Sequence, residues 1–422
     1  MRVADILKRY AADFVRDHRS AAVPQVQSTL AKLMLCRTPA LGGHVYACRT
    51  CDHRVVVRNS CGDRHCPQCS GARRRDWLDS SAKLLLPGVT YYQVVFTMPD
   101  RLSSLTLGNR RVMFDLLFRT AWQALRQTIE NEQQFEAAAT MVLHTWNQQL
   151  DAHVHLHALV PGGGPSLKNL DQWKNARPPA HETQNRFWLV DADALRLAFR
   201  TAFLAGLRRL QARGELKLDG EWSSLRNAAA FEDWLGPLES ATWVVYIQPP
   251  PTPDTTPDQV LKYLARYMTG GPISDRRLVR HEQGHVTFRA RTGTQTGGSD
   301  ETEEVRLPGV EFVRRWAMHI LPKNCTKTRR FGGFSNRHQK RYMAACQKLL
   351  PDSEIARETS SVNPDITSSD EDTRTHRCPK CESMMTLACS EKRPGWRAVM
   401  SGPRRPTWYR KGSIQKSGYD DG

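Results

Sequence analysis

"DAHVHLHALVPGG", Asp151 to Gly163, sets His153, His155 and His157 on every second position just before a Pro-Gly-Gly run. Alternation is the period of a strand, in which residues i and i+2 share a face, so three imidazoles project from one side. Neutral imidazole is a common metal donor, and two of them on one strand face form a clamp for a divalent ion. Upstream, "AAATMVLHTWNQQL" supplies the other arm of a predicted hairpin. With Asp151-Ala152 as a two-residue turn, Gln148 falls opposite His155 and Trp146 opposite His157, which makes Gln148 the predicted third ligand. The strand alone names no reaction, since metal-binding strands of this form serve unrelated enzymes.

Outward from this hairpin, "YYQVVFTM" (91–98) and "ATWVVYIQ" (241–248) are β-rich runs, and "VTFRAR" (286–291) reads as a further strand. "RRVMFDLLFRTAWQALRQTI" and "ADALRLAFRTAFLAGLRRLQARGEL" carry apolar residues at helical spacing, as do residues 2–35 through Val3, Ile6, Leu7, Tyr10 and Phe14. The mixture predicts an α+β fold, an antiparallel sheet flanked by helices. Expected divisions are a helical segment 1–35, a Cys/His-rich segment 36–80, a sheet-and-helix domain 85–291 with a helical insertion, a basic segment 305–350, and a largely disordered tail 351–422 with a partial Cys-x-x-Cys knuckle.

The metal signal is stronger in "HVYACRTCDHRVVVRNSCGDRHCPQC". Cys48-x-x-Cys51 followed by Cys66-x-x-Cys69 places paired thiolates at two turns, and four thiolates suit a tetrahedral structural zinc. Cys61, His65, Cys36 and His44 are surplus ligands of the right type, enough for a second ion. Near the far end, Cys378-x-x-Cys381 with Cys389 and His376 reads as a second, incomplete ribbon. Cys346 reads as a buried apolar residue.

A third feature is "TTPDQVLKYLARYMTGGP", a helix with Thr256 as N-cap, Pro257 in its first turn and glycines at its end. Tyr263 and Tyr267 lie four apart on one face, with Lys262 and Arg266 projecting further round. Packed against a core they are ordinary aromatics; beside a bound cation their hydroxyls become candidate nucleophiles, a phenol attacking poorly without such help.

Charge points to a polyanionic partner: 61 Lys plus Arg against 43 Asp plus Glu leave a net +18. No apolar run reaches the ~20 residues that span a bilayer. The opening "MRVADILKRYAADFVRDHRS" is amphipathic rather than a signal peptide, so a cytoplasmic, nucleoid-associated protein without a membrane partner is expected. The run from Phe312 to Arg341 concentrates cations, and Arg314, Arg315, Lys323, Arg329, Arg330, Arg337 and Arg341 are candidate phosphate contacts.

Taken in order, "SCGDRHCPQC", "YYQVVFTMP", "LHTWNQQLDAHVHLHALVPGGG", "WVVYIQPP", "YLARYMTGGPIS" and "EFVRRWAMHILPK" resemble the bacterial rolling-circle insertion-sequence transposases of the HUH class, two-tyrosine type, with an N-terminal zinc-binding domain. The resemblance covers about residues 30–345. It implies an HUH-endonuclease sheet, His155 and His157 as the metal pair with Gln148 third, and Mg²⁺ or Mn²⁺ as catalytic ion beside one or two structural Zn²⁺. It also implies that Tyr263 and Tyr267 are alternating nucleophiles that form 5′-phosphotyrosine links. Single-stranded DNA, hairpins at element termini and target DNA are the implied substrates, with host replication proteins as further partners. Two rivals stand beside this reading: a plasmid replication initiator or relaxase of the same class, and a non-catalytic zinc-ribbon DNA-binding regulator.

Overall fold

The structure, a computed structural model, describes residues 1–179, 188–248, 271–291, 302–350, 377–403 and 405–409, with the backbone alone at 70–75. In chain order its longer strands are β1 Gly43–Cys48, β2 Arg54–Arg58, β3 Tyr91–Thr97, β4 Ala138–Trp146, β5 Ala152–Pro161, β6 Gly163–Pro165, β7 Trp173–Asn175, β8 Val244–Gln248, β9 Leu278–Glu282, β10 His285–Arg291, β11 Thr302–Pro308, β12 Thr328–Gly332 and β13 Met385–Glu391. The chain divides into two units, one made of Met1–Arg75, Gly270–Ile320 and Arg357–Gly422, the other of Asp76–Thr269 and Leu321–Ala356. The architecture is α+β with antiparallel sheets. The linear divisions expected from sequence do not hold: the helical and zinc segments share a unit with residues 271–320, and the basic segment 305–350 is divided between both units.

The second unit is built on a five-stranded antiparallel sheet in the order β12-β4-β5-β3-β8. One face packs Val94, Phe96, Met141, Leu143, Leu156 and Ala158 into a core shared with the helices Arg110–Glu132 and Ala192–Ala212. These helices bury Phe114, Phe118, Leu125 and Phe199, Phe203, Leu207, the i, i+3/i+4 stripes that made them legible. Asp191 caps the second of them by accepting from Ala194 N at 2.7 Å, worth ~1 kcal/mol.

The other face is divided. At one end Tyr91, Ala138, Val142 and Leu159 lie under Leu84, Leu86, Phe334 and Tyr342; at the other end stand the histidines. Burial on both faces explains why β3 and most of β4 read as continuous apolar runs. The Pro-Gly-Gly run is no turn. The strand resumes as β6 after a bend, and the glycines admit close neighbours: a Cβ at Gly162 would stand 2.6 Å from the Tyr92 ring, and one at Gly164 2.6 Å from the Glu136 carbonyl.

The first unit holds two three-stranded antiparallel sheets, β11-β10-β9 and β13-β1-β2. The helix Val3–Asp17 packs along the helix Gly309–Met318, and the ring of Tyr10 takes the space a side chain at 309 would fill. Residues 377–403 are folded, contrary to the expected disorder: β13 pairs with β1 from Gly43↔Glu391 to Cys48↔Met385, and a helix follows at Trp396–Ser401. The expected capped helix at 256–268, the loop 292–301 and the acidic stretch 351–376 lie outside the described residues.

Candidate metal centres

The hairpin that decides the fold closes differently from its prediction. A five-residue connection, Asn147 to Asp151, replaces the two-residue turn. The Asn147 side-chain oxygen accepts from the amides of Gln149 at 2.9 Å and Asp151 at 2.8 Å, while Leu150 adopts a left-handed φ of 66° and is buried. A bulge between His144 and Trp146 then sets His144↔His155 and Val142↔His157. Gln148 is therefore not opposite His155 but exposed in the connection. The residue that takes its place opposite His155 is His144, which shares that face of the sheet.

His144, His155 and His157 form one group whose ring nitrogens lie within 4.8 Å of one another, each side chain being less than a tenth exposed. Their ring centroids are 4.6 to 5.3 Å apart. Burial pushes His157 down to about 4, with Lys327 adding to the shift, and holds His155 well below the usual imidazole range, with His157 the next cause. Both rings are thus neutral at pH 7, the protonation state a metal ligand needs.

Their tautomers are also directed. His155 Nδ1 lies 3.0 Å from the His153 carbonyl, which can only accept, so Nδ1 carries the proton and Nε2 holds the lone pair. His157 Nδ1 lies 2.9 Å from the Gln93 side-chain amide, whose other atom, Oε1, is buried without a partner. Turning that amide by 180° puts Oε1 on Nδ1–H and frees His157 Nε2 in the same way. His153 supports from the strand's end, with its own ring 3.4 Å from Asp100.

Two residues complete the surroundings: Trp146, which lies opposite Ala152 rather than His157, and Lys327, which the sequence reading missed. Trp146 stacks on His144 at 4.6 Å, and Lys327 Nζ sits 5.1 Å from the centre of the Trp146 ring. Lys327 reaches this position because its carbonyl accepts from Leu143 N at 2.9 Å, extending the β12 edge of the sheet beside the histidines.

Most of the cations proposed for DNA are engaged within the fold. Arg314 and Arg315 both pair with Glu311, at 2.6 and 2.8 Å, and Arg314 first among them holds that carboxyl down to about 2. Arg329 pairs with Asp115 and lies over the Phe118 ring; Arg341 pairs with Glu136; Arg330 donates to the Ser80 carbonyl at 3.1 Å. Arg337 is exposed, and the Lys323 carbonyl accepts from Arg111. Tyr263, Tyr267, Lys262 and Arg266 lie outside the described residues.

The cysteines divide otherwise than their spacing suggests. Cys36, Cys61, Cys66 and Cys69 form one buried group, with Sγ–Sγ distances of 3.4 to 3.6 Å. Cys48 and Cys51 do not join Cys66 and Cys69; they meet Cys378 and Cys381. Two histidines fall out of the ligand set: His65 bonds the Asp63 carboxylate at 3.1 Å, and His44 bonds Ser390 at 3.0 Å on the neighbouring strand. Cys389 is exposed on β13 opposite Val45, outside either group, and His376 lies outside the described residues. Four sulfurs ~3.8 Å apart surround a tetrahedral zinc with 2.3 Å bonds, so the first group fits structural Zn²⁺ with little adjustment.

Against known proteins, residues 138–341 match a family model described as putative transposase, and residues 6–98 match one described as transposase zinc-binding domain. The chain is 36% identical over 350 residues to putative transposase y4qJ of Sinorhizobium fredii, covering 82% of this chain and 84% of that protein. It is 26% identical over 326 residues to the transposase for insertion sequence element IS801 of Pseudomonas savastanoi pv. phaseolicola, covering 76% and 72%. No solved structure matches it.

Proposed function

The chain belongs to the IS91-type rolling-circle transposases with an N-terminal zinc-binding domain, and from that premise we propose that it is a single-strand DNA endonuclease and strand transferase whose nucleophiles are Tyr263 and Tyr267. The observation that carries this reading is the buried imidazole group His144, His155 and His157, in which burial keeps His155 and His157 neutral, with Lys327 beside it. These histidines would hold Mg²⁺ or Mn²⁺, the softer Mn²⁺ suiting nitrogen donors better, and the bound ion supplies positive charge that polarises a phosphodiester. His144 takes the place in this ligand set that the hairpin prediction gave to Gln148.

The protein's own groups do the rest. One tyrosine oxygen loses its proton and forms a bond to phosphorus; the bond from phosphorus to the preceding nucleotide's 3′ oxygen breaks, and that oxygen leaves as a 3′-OH. The 5′-phosphotyrosine keeps the energy of the phosphodiester, so a later 3′-OH reverses the step without ATP, and the second tyrosine serves target or terminus. Lys327 pairs with a non-bridging phosphate oxygen. Lys262, Arg266, Lys323 and Arg337 extend the phosphate track, and single strands or hairpins at element termini are the substrates.

Incubation of the protein with end-labelled single-stranded terminal DNA and Mn²⁺ should give a covalent protein–DNA adduct. It should vanish in the Tyr263→Phe/Tyr267→Phe double variant and drop on the order of 10²-fold in His155→Ala. Undiminished adduct in the double variant would sink the assignment.

A further inference from the structure

The segment recognised as zinc-binding ends before residue 99 and contains only Cys48 and Cys51 of the second sulfur group. The other two sulfurs belong to residues over three hundred positions later, near a strand that pairs with the one leading into Cys48. We propose that Cys48, Cys51, Cys378 and Cys381 form a zinc site split between the two ends of the chain, and that the ion fastens residues 377–401 to the N-terminal zinc domain. This inference is independent of the strand-cleavage reading.

The geometry of the sulfurs supports it. Cys48–Cys381, Cys51–Cys378 and Cys51–Cys381 are 3.4, 3.5 and 3.5 Å apart, near the ~3.8 Å edge of a zinc tetrathiolate. They are far beyond the ~2.05 Å of a disulfide.

The backbone supports it more strongly, because the two Cys-x-x-Cys turns repeat one another bond for bond. Thr50 N and Lys380 N each point at the first sulfur of their turn, both at 3.4 Å. Asp52 N bonds the Cys48 carbonyl at 3.1 Å, and Glu382 N bonds the Cys378 carbonyl at 2.9 Å. Asp52 and Glu382 both take left-handed φ, 53° and 57°, and each turn closes with its first cysteine's amide on a carbonyl five residues on. Amides aimed at sulfur stabilise thiolate over thiol, and left-handed φ in a non-glycine residue persists only where its surroundings demand it. Two such turns facing each other are a pair of knuckles around one ion.

The C-terminal segment then continues over the first sulfur group. Arg393 donates to the Cys61 carbonyl at 2.7 Å and, with Lys32, lies over the Trp396 ring. Met385 covers Cys48 and Cys378.

The test uses the full chain with a protease site inserted between residues 351 and 376. Purified protein should hold two zinc ions by mass spectrometry, and after cleavage both fragments should co-elute until a chelator is added. The Cys378→Ser/Cys381→Ser variant should hold one zinc, and its cleaved C-terminal fragment should elute separately. Cadmium-substituted wild-type protein, which needs no variant, should show two ¹¹³Cd resonances in the tetrathiolate range. A single resonance, an unchanged zinc count in the variant, or co-elution that survives both chelation and the variant would overturn the split site.

Discussion

The sulfur groups of the first unit and the imidazole group of the second bring ligands together by opposite routes. Cysteines arrive on short turns from separate segments, with few apolar residues nearby: around Cys48 and Cys378 the buried neighbour is Met385, with Tyr46 and Val55 half-covered. Such a site has little to hold it but the ion, so metal binding and folding are one event. The histidines instead stand on two strands of a sheet whose opposite face is packed by two long helices, and the ladder, the His153 carbonyl and Gln93 fix their direction whether or not an ion is bound. One unit uses metal to make structure; on the proposed reading the other uses structure to present a metal.

This contrast can be broken most severely at Cys66, which is buried in the first group. Cys66→Ser should forfeit a large share of the ~10 to 16 kcal/mol that structural zinc gives small domains. Hydrogen exchange should then show amides between residues 36 and 69 losing protection while β3, β4 and β5 keep theirs. Retained protection around Cys66 would mean that packing, not metal, holds that segment.

A finer probe is Gln93→Leu. It leaves the sheet's backbone ladder untouched but removes the group that orients His157, and should weaken Mn²⁺ binding ~10- to 100-fold in a calorimetric titration. Unchanged affinity would detach Gln93 from the site.

The mildest test concerns acid. Metal-free His157 titrates at about 4 when folded against 6.5 when exposed, so between these values the unfolded chain binds more protons there. Stability therefore rises with pH across that window and falls on acidification, and His155 acts in the same direction. Urea midpoints from pH 7 to 4 should decline less steeply in His157→Gln than in the wild type; parallel slopes would refute a buried neutral imidazole.

What could be seen in the sequence was whatever depends on local period. The long helices, β3, β8 and the histidine strand follow from spacing alone, and the apolar stripes of Arg110–Glu132 appear where residue periodicity puts them. What escaped depends on pairing. His144 escapes a linear reading because register hangs on the turn, and the longer turn is set by Asn147, whose side chain gathers two amides. Spacing fixes which sulfurs share a turn and says nothing about which turns meet, so Cys48 and Cys51 match Cys66 and Cys69 in sequence but meet Cys378 and Cys381 in space. The density of cations hides their partners: Glu311 stands one helical turn from Arg314 and Arg315, while Asp115 and Glu136 reach Arg329 and Arg341 from positions that no linear reading brings together.

The split sulfur group also has a history in time. Cys36, Cys61, Cys66 and Cys69 leave the ribosome within a span of 33 residues, whereas Cys51 waits 327 residues for Cys378. At ~5 to 20 residues per second that wait lasts roughly 15 to 65 s, during which the first ion can already be seated and the second knuckle stands alone. A nascent chain, or one stopped early, carries a half-built site on its N-terminal domain, and only translation past residue 381 closes it. The N-terminal zinc-binding segment thereby holds one complete sulfur group and one incomplete one until residue 381 has been made.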